Sequence, residues 1–489
     1  MASGRRSSQR FIRQFLIRSS RAAAVTALTI SVWIASASAA PTEKLLHAFH
    51  ATDGAGPGAL VSDSAGNLYG VAGIAGDASN SSCTYSVGTG CGTVFELSPT
   101  SSGTWQTTVL YRFTGGTDGS GPADLAIDAT GNLYGVAEQG GEAEGCVLPH
   151  GCGTIFNLTH GSAGWKFEVL HTFTGGTDGS APGALTLDSA GNLYITAQSG
   201  GKTTPFCGIG CGTIFELSPS GTGWSGRALR LFDWSFTYYG AENPVGRVTL
   251  DSAGNLYGAA GGGVYNDVWS TTFGVIYELT PTASGQWDQV IVHDFCPQSF
   301  VCTDGAVPEA GLTFDSNGNL FGTTAAGGFL SSGTVFELMP ASDSSWTENT
   351  IYTFSGGSTG GIPVSSLIFD GNGNLFGTTA IGGNENCSCG VAFELTPGSS
   401  GWSLSVLHSF SGAIDGANPS GLLLDSLGNL YGTTVYGGIN TTTCPELCGV
   451  VYELPGVDEQ VQGNLSPKFG TTEVKLGREA FLSSLSTSR

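Results

Sequence analysis

The chain has 489 residues, with 39 acidic against 17 basic side chains and a formal net charge of −22. So acidic a chain repels phosphate backbones, which excludes nucleic acid as a partner. Glycine, at 78 residues, is about twice its usual share, yet 40% apolar residues supply a core and exclude a disordered chain.

Residues 1–39 read as a secretory signal. Six arginines from Arg5 to Arg21 precede the apolar run AAAVTALTISVWIA, and SASAA then offers an A-x-A-type cleavage site after Ala39. The apolar run is shorter than the roughly 20 residues a spanning helix needs, so no transmembrane span is expected in the mature chain. Its charge falls to about −28, because no acidic residue leaves with those arginines. The Arg5-Arg6 pair leaves a twin-arginine route open. The expected destination is the periplasm, the cell surface or the exterior.

The next apolar string is KLLHAF, Lys44–Phe49. After it, DSAGNLYG at Asp63 begins a phrase that returns at Asp128, Asp188, Asp251, Asp315, Asp370 and Asp425, at intervals of about 55–65 residues. Such repetition decides the fold class before any other signal. Each unit also carries a GTVFEL-like string, from Gly92–Leu97 to Gly449–Leu454, and six strings open on Trp and close on an end like VLHxF, as at Trp165–Phe173. A unit therefore holds four short strands: an apolar run before the Asp (a), NLYG-x-x (b), GTVFEL (c) and W…VLHxF (d).

The repeated phrase is the a–b turn. Asp caps it through its side chain and Gly takes the positive φ of a bulged hairpin, so the seven aspartates are turn caps, not catalytic acids. Strands that are apolar on both faces, such as the one holding Val94, Phe95 and Leu97, need sheets covered on both sides. Four-stranded sheets stacked around an axis meet that need. Seven a–b hairpins and seven c strands stand against only six d strands that follow a c strand, and KLLHAF matches the missing seventh. The expectation is an all-β, seven-bladed β-propeller of four-stranded blades over residues 40–456, closed by the N-terminal strand. Residues 457–489 form a C-terminal tail.

The combination D-x-x-G-N-L-Y-G, GG, CGTVFEL and VLHxF resembles the GloVer-type tandem-repeat proteins of exported bacterial chains, a choice-of-anchor family, over residues 44–456. That resemblance implies an exported repeat protein without a defined activity, with an anchor that varies at its C-terminus. This tail shows no apolar span or sorting motif. D-x-x-G-N-L-Y is similar, more generically, to NHL and gluconolactonase-type propellers.

Twelve cysteines fall into local couples: Cys83/Cys91, Cys146/Cys152, Cys207/Cys211, Cys296/Cys302, Cys387/Cys389 and Cys444/Cys448. Zinc needs four ligands at regular spacing, whereas these spacings drift and no His recurs beside them, so loop disulfides are expected and no metal. Cys387/Cys389 closes the smallest ring and is the doubtful couple.

Antiparallel alternation puts the a–b and c–d turns on one face and the b–c and d–a loops on the other. The long, cysteine-bearing loops of that second face are where binding residues are expected. DGxxP recurs there at Asp53, Asp118, Asp178, Asp304 and Asp415. Five carboxylates are a candidate cation site, calcium included, but Asp-Gly turns are the plainer reading, and no calcium-loop spacing occurs. Four residues before each turn aspartate, strand a carries small residues except at Asp124 and Arg247. That pair could line the central channel and act on a polar substrate as a lyase or lactonase, or simply pair with other residues. Blade 4 has aromatic loops instead of cysteines: Trp234, Tyr238 and Tyr239 enter it, and Tyr265 and Trp269 follow its strand b. Clustered aromatics suit a binding module for a neutral glycan or a protein partner. The protein is expected to be a monomer and to need no cofactor, and the residues favour a binding module over an enzyme without deciding between them.

Overall fold

Asp63 shows what the repeated phrase does. Its Oδ1 accepts from the backbone N–H of Ala65 and of Asn67, both at 2.9 Å. Its Oδ2 accepts from Asn67 Nδ2 at 2.8 Å and Tyr69 Oη at 3.1 Å. Gly66, at φ +83°, donates back to the Asp63 carbonyl and closes the turn. Asp, Gly, Asn and Tyr thus each hold one part of the hairpin. The backbone bonds recur at Asp128, Asp188, Asp251, Asp315, Asp370 and Asp425.

The structure is a computed structural model that describes residues 42–77, 83–85, 88–141, 146, 151–204, 207–233, 243–261, 273–296, 302–438 and 448–456. Residues 1–39, expected to be a secretory signal, and residues 457–489, the expected tail, lie outside them. Blade 1 comprises Ala55–Ser62 (strand a), Leu68–Ile74 (b), Thr93–Pro99 (c) and Trp105–Arg112 (d). Blades 2, 3 and 4 run in the same order, from inner strands Ser120–Ile127, Ser180–Leu187 and Pro244–Leu250 to outer strands Gly164–Thr172, Gly223–Leu231 and Trp287–Asp294. Blade 5 runs from Thr313–Phe314 to Trp346–Thr353. Blade 6 has a split inner strand, Gly361–Pro363 and Ile368–Phe369, and ends on Gly401–Ser409. Blade 7 takes Ala417–Leu424, Leu430–Tyr436 and Val450–Leu454 from the C-terminal end and Lys44–Ala48 from the N-terminal end. Among the described residues there is no helix. The fold is a seven-bladed β-propeller.

Closure follows the strand count. Lys44–Ala48 pairs antiparallel with Val450–Leu454, Lys44 opposite Glu453 and Ala48 opposite Val450, and Lys44 Nζ meets Glu453 Oε2 at 2.9 Å. Seven buried clusters lie between neighbouring blades, and one of them joins Phe49, Leu60, Phe95 and Leu97 to Tyr431 and Val451 of blade 7. The ring has no open seam.

One repeat breaks its own rule and shows why the rule exists. A Cβ on Gly70 of strand b would stand 2.5 Å from Phe95 Cζ, so the buried ring of strand c needs a glycine beside it. Blade 3 has Ile195 at that place. There the Phe215 ring lies over Gly226 of strand d, whose Cβ would stand 2.4 Å from Phe215 Cζ. The glycine has moved from one neighbour of the ring to the other, and the core volume is kept.

The recurring histidines of strand d are not merely packing residues. His47, His171, His293 and His408 meet Asp53, Asp178, Asp304 and Asp415 at 3.0–3.3 Å, and Tyr111 Oη donates to Asp118 at 3.0 Å. Each pair holds the start of a d–a loop against its own outer strand. Asp178 also accepts from Thr174 N–H at 2.9 Å and Thr174 Oγ1 at 2.6 Å. The DGxxP carboxylates are therefore turn-closing groups.

These bonds set an acid limit. At Asp63, Asp128, Asp178, Asp304 and Asp415 burial works against ionisation, but donated hydrogen bonds outweigh it and hold each pKa below the ordinary value. Their stabilisation is complete above the unfolded value near about pH 4 and is lost as pH falls through the folded values. Glu43, Glu138, Glu309 and Glu348 are pushed up by burial, so their protonation favours the folded state between about pH 4.5 and their higher folded values. The melting temperature is expected to peak between about pH 4 and about pH 4.5, to fall gradually as pH rises above that, and to drop steeply below about pH 4. A melting temperature still rising at pH 3 in a calorimetric series would contradict this reading.

Candidate functional site

Two places stand out once the repeat is subtracted: the inner strands around Asp124 and Arg247, and the face of b–c and d–a loops.

Asp124 follows Pro122 at a bulge in its inner strand, and only 5% of it is exposed. Arg247 reaches it from blade 4, Nε to Oδ2 at 2.8 Å and Nη2 to Oδ1 at 2.5 Å. The carboxylate also accepts from Leu125 N–H and, on blade 3, from Leu185 N–H, both at 2.9 Å. Arg247 Nη2 donates further to the Leu125 carbonyl at 2.9 Å. One ion pair thus ties the inner strands of blades 2, 3 and 4. Burial works against the guanidinium's charge, but the Asp124 carboxylate outweighs it and holds the pKa above the ordinary value. Sequence reasoning singled out both residues, and the structure brings them together.

Small residues complete this level. A Cβ on Gly311 would stand 2.9 Å from Ser366 Oγ and 3.0 Å from the Arg247 carbonyl, and a Cβ on Gly421 would stand 3.1 Å from that of Ala59. Ser366 Oγ accepts from Gly311 N–H at 3.0 Å. Toward the a–b turns, Arg247 lines an open cleft of about 600 Å³ with Thr186, Ser189, Ser252, Gly311 and Ser366. Leu187, Val248, Leu250 and Leu312 line it as well, so the cleft is mixed in character. The Asp124 carboxylate, with four donors on two oxygens, has no lone pair placed for nucleophilic or general-base work.

The loop face is built differently. Four disulfides staple its b–c loops, Cys83–Cys91, Cys146–Cys152, Cys207–Cys211 and Cys387–Cys389, while Cys296–Cys302 lies in the d–a loop that leads into blade 5. Cys448 is also disulfide-bonded, and Cys444 lies outside the described residues. Arg112 ties two loops together, donating through Nη1 to the Thr52 carbonyl at 2.6 Å and to that of Gly76.

Among the described residues, exposed apolar side chains occur on the outer strands at Leu45, Val290 and Ile291, on the a–b turn face at Leu427, and more often on this loop face. Phe329 is 83% exposed and Leu330 53%, in the b–c loop of blade 5, and Ile414 is 67% exposed in the d–a loop that leaves blade 6. Sequence reasoning missed Phe329 and Leu330. The signal was there, since this loop, like that of blade 4, carries no cysteine. Trp234, Tyr238, Tyr239, Tyr265 and Trp269 lie outside the described residues. Among the described residues no group of three His, Cys, Asp or Glu side chains is placed to hold a metal ion, and no helix is long and apolar enough to cross a membrane.

A search of curated proteins found no match. Solved structures similar to this chain include a gluconolactonase from Xanthomonas campestris, at 13% identity over 75% of this chain and 96% of that one, with a TM-score of 0.36. A luciferin-regenerating enzyme is similar at 13% identity over 69% and 91%, with a TM-score of 0.41. A protein from Lactobacillus plantarum is similar at 12% identity over 75% and 96%, with a TM-score of 0.44. The family described as the Gloeobacter/Verrucomicrobia repeat matches residues 74–313 and 270–455, which take in most of the seven copies of the turn phrase. By that match the chain belongs to the Gloeobacter/Verrucomicrobia repeat family.

Proposed function

We propose that this protein is an exported binding module that recognises a neutral glycan or a protein surface through its b–c and d–a loops. The observation that carries the reading is the contrast between the two faces. One is made of near-identical Asp-capped turns, with Leu427 exposed in the last of them, and the other of unequal loops, several stapled by disulfides, with Phe329, Leu330 and Ile414 in solvent on loops that carry no cysteine. Exposed apolar side chains on a rigid scaffold are typical of recognition surfaces. Disulfides in these loops suit a chain that works in an oxidising compartment. The alternative, a lyase or lactonase in the channel, would draw on Arg247, which lines the cleft; the four bonds on Asp124 weigh against it.

Replacement of Trp234 and Trp269 by Ala is expected to weaken binding by roughly 1–3 kcal/mol each, as for aromatic hot spots. Glycan-array and pull-down profiles of wild type and double variant, compared at equal melting temperature, test this. Indistinguishable profiles would remove these two residues from the site.

A further inference from the structure

We propose that the Cys387–Cys389 bridge is a thiol–disulfide exchange site, set apart from the structural bridges around it. Three observations separate it. Its cysteines are two positions apart, whereas the other described bridges join cysteines four to eight positions apart. The single residue between them, Ser388, is held at φ +53°, in the left-handed region that a side chain disfavours. Cys387 is exposed, and among the described residues it is the one bridged cysteine that is; Cys389 is 7% exposed.

The loop also fixes which sulfur is met first. Cys387 N–H and Ser388 N–H both donate to the Asn384 carbonyl, at 3.3 and 2.8 Å, and Gly382 N–H donates to Ser388 Oγ at 2.9 Å. Cys387 is the exposed residue of the two, with its Sγ 3.7 Å from the Phe410 carbonyl oxygen, while Cys389 is packed more tightly against Gly412, where an added Cβ would stand 2.7 Å from Cys389 Sγ and 3.7 Å from Cys387 Sγ. An incoming thiolate can therefore reach Cys387 Sγ and displace Cys389.

The chemistry balances with thiols alone. A thiolate attacks Cys387 Sγ, the S–S bond breaks, and its electron pair leaves on Cys389 Sγ. A second thiolate then attacks the substrate sulfur of the mixed disulfide and releases Cys387 as a thiolate. Two thiols have become one disulfide, and their two electrons and two protons reside on the Cys387/Cys389 pair. An external disulfide closes the ring again by the reverse exchange. Strained or exposed bridges have the higher reduction potentials that such a role needs. The substrate class is thiols, either small ones or those of unfolded exported polypeptides.

The test begins with the intact mature protein in graded glutathione buffers, followed by alkylation and peptide mapping. Cys387 and Cys389 are expected to open at a reducing strength about tenfold lower than the other mapped bridges. With oxidised glutathione, Cys389→Ser should form a mixed disulfide at Cys387, and Cys387→Ser should react at Cys389 about tenfold more slowly or not at all. Reduced, unfolded ribonuclease is the second probe: its oxidation by wild type, and not by the Cys387→Ser/Cys389→Ser variant, assigns polypeptide thiols as the substrate, whereas exchange confined to glutathione assigns small thiols. The wild-type mapping requires no variant to fold. Opening of Cys387–Cys389 together with the other bridges, or equal glutathionylation of both single variants, would overturn the proposal.

Discussion

Deletion of Lys44–Phe49 is expected to destroy the ring, through aggregation or a fall in melting temperature of several degrees at least. The strand supplies the whole outer edge of blade 7, paired from Lys44 opposite Glu453 to Ala48 opposite Val450. Without it, Val450–Leu454 becomes a bare edge of unpaired backbone groups, a template for association with other chains. Phe49 adds a second cost. It is fully buried, lies edge-on to Phe95 at 5.0 Å, and belongs to the cluster between blades 7 and 1. Loss of a buried Phe alone costs about 3–5 kcal/mol. Lys44→Ala is the control, because this ion pair is half in solvent at the lysine and should be worth no more than about 1 kcal/mol. Light scattering and calorimetry of the truncated mature protein read both effects. Unchanged melting in the truncated protein would show that closure contributes nothing.

The second large effect is expected at Asp124. Asp124→Ala strips Arg247 of its counter-charge and leaves the Leu125 and Leu185 N–H groups without an acceptor. Breaking one side of a buried pair costs about 3–5 kcal/mol; with 37% of the Arg247 side chain exposed, the lower end applies. Asp124→Ala/Arg247→Met should recover a large part of that loss, because the uncompensated charge goes with the arginine. Denaturant midpoints of the two single variants and the double variant close the cycle. Additive losses, with no recovery in the double variant, would mean that the pair is not a staple between blades. An Asp124→Ala protein that kept wild-type stability and lost an activity would put the channel ahead of the loop face.

The ring was legible because its evidence is repeated. Asp63, Gly66, Asn67 and Tyr69 occur together often enough to read as one turn, and KLLHAF could be matched to the ends of six other strands. What stayed hidden depends on contacts between units. That Ile195 in blade 3 is matched by Gly226 shows only when the Phe215 ring is seen between them. The pairing of neighbouring outer strands is of the same kind. Thr107 Oγ1 meets His47 Nδ1 at 2.9 Å, and Phe167 stacks on Tyr111 at 3.8 Å. Glu348 lies within the field of His293 and Asp304, and Glu43 within that of His408 and Asp415. In these pairs like meets like, whereas His171, whose counterpart on the next outer strand is Gly226, stacks on the Phe215 ring. Positions 47 and 107 belong to different copies of the repeat, so reading one copy could not reveal the match.

The candidate site was legible in part. Asp124 and Arg247 stood out because inner strands otherwise carry small residues, but their bond to each other spans two blades and has no sequence spacing to betray it. Phe329 and Leu330 were passed over because an apolar pair is ordinary in a chain with 40% apolar residues; exposure, not identity, makes them unusual.

The position of a bound ligand tests the loop-face reading most directly. Crystals of the mature protein, grown with the glycan or protein fragment that scores highest in the binding assay, would show it. Density over the b–c and d–a loops, with contacts to the blade 4 aromatics or to Phe329 and Leu330, is the predicted result. Density in the cleft beside Arg247, on the a–b turn side of the ring, would contradict it.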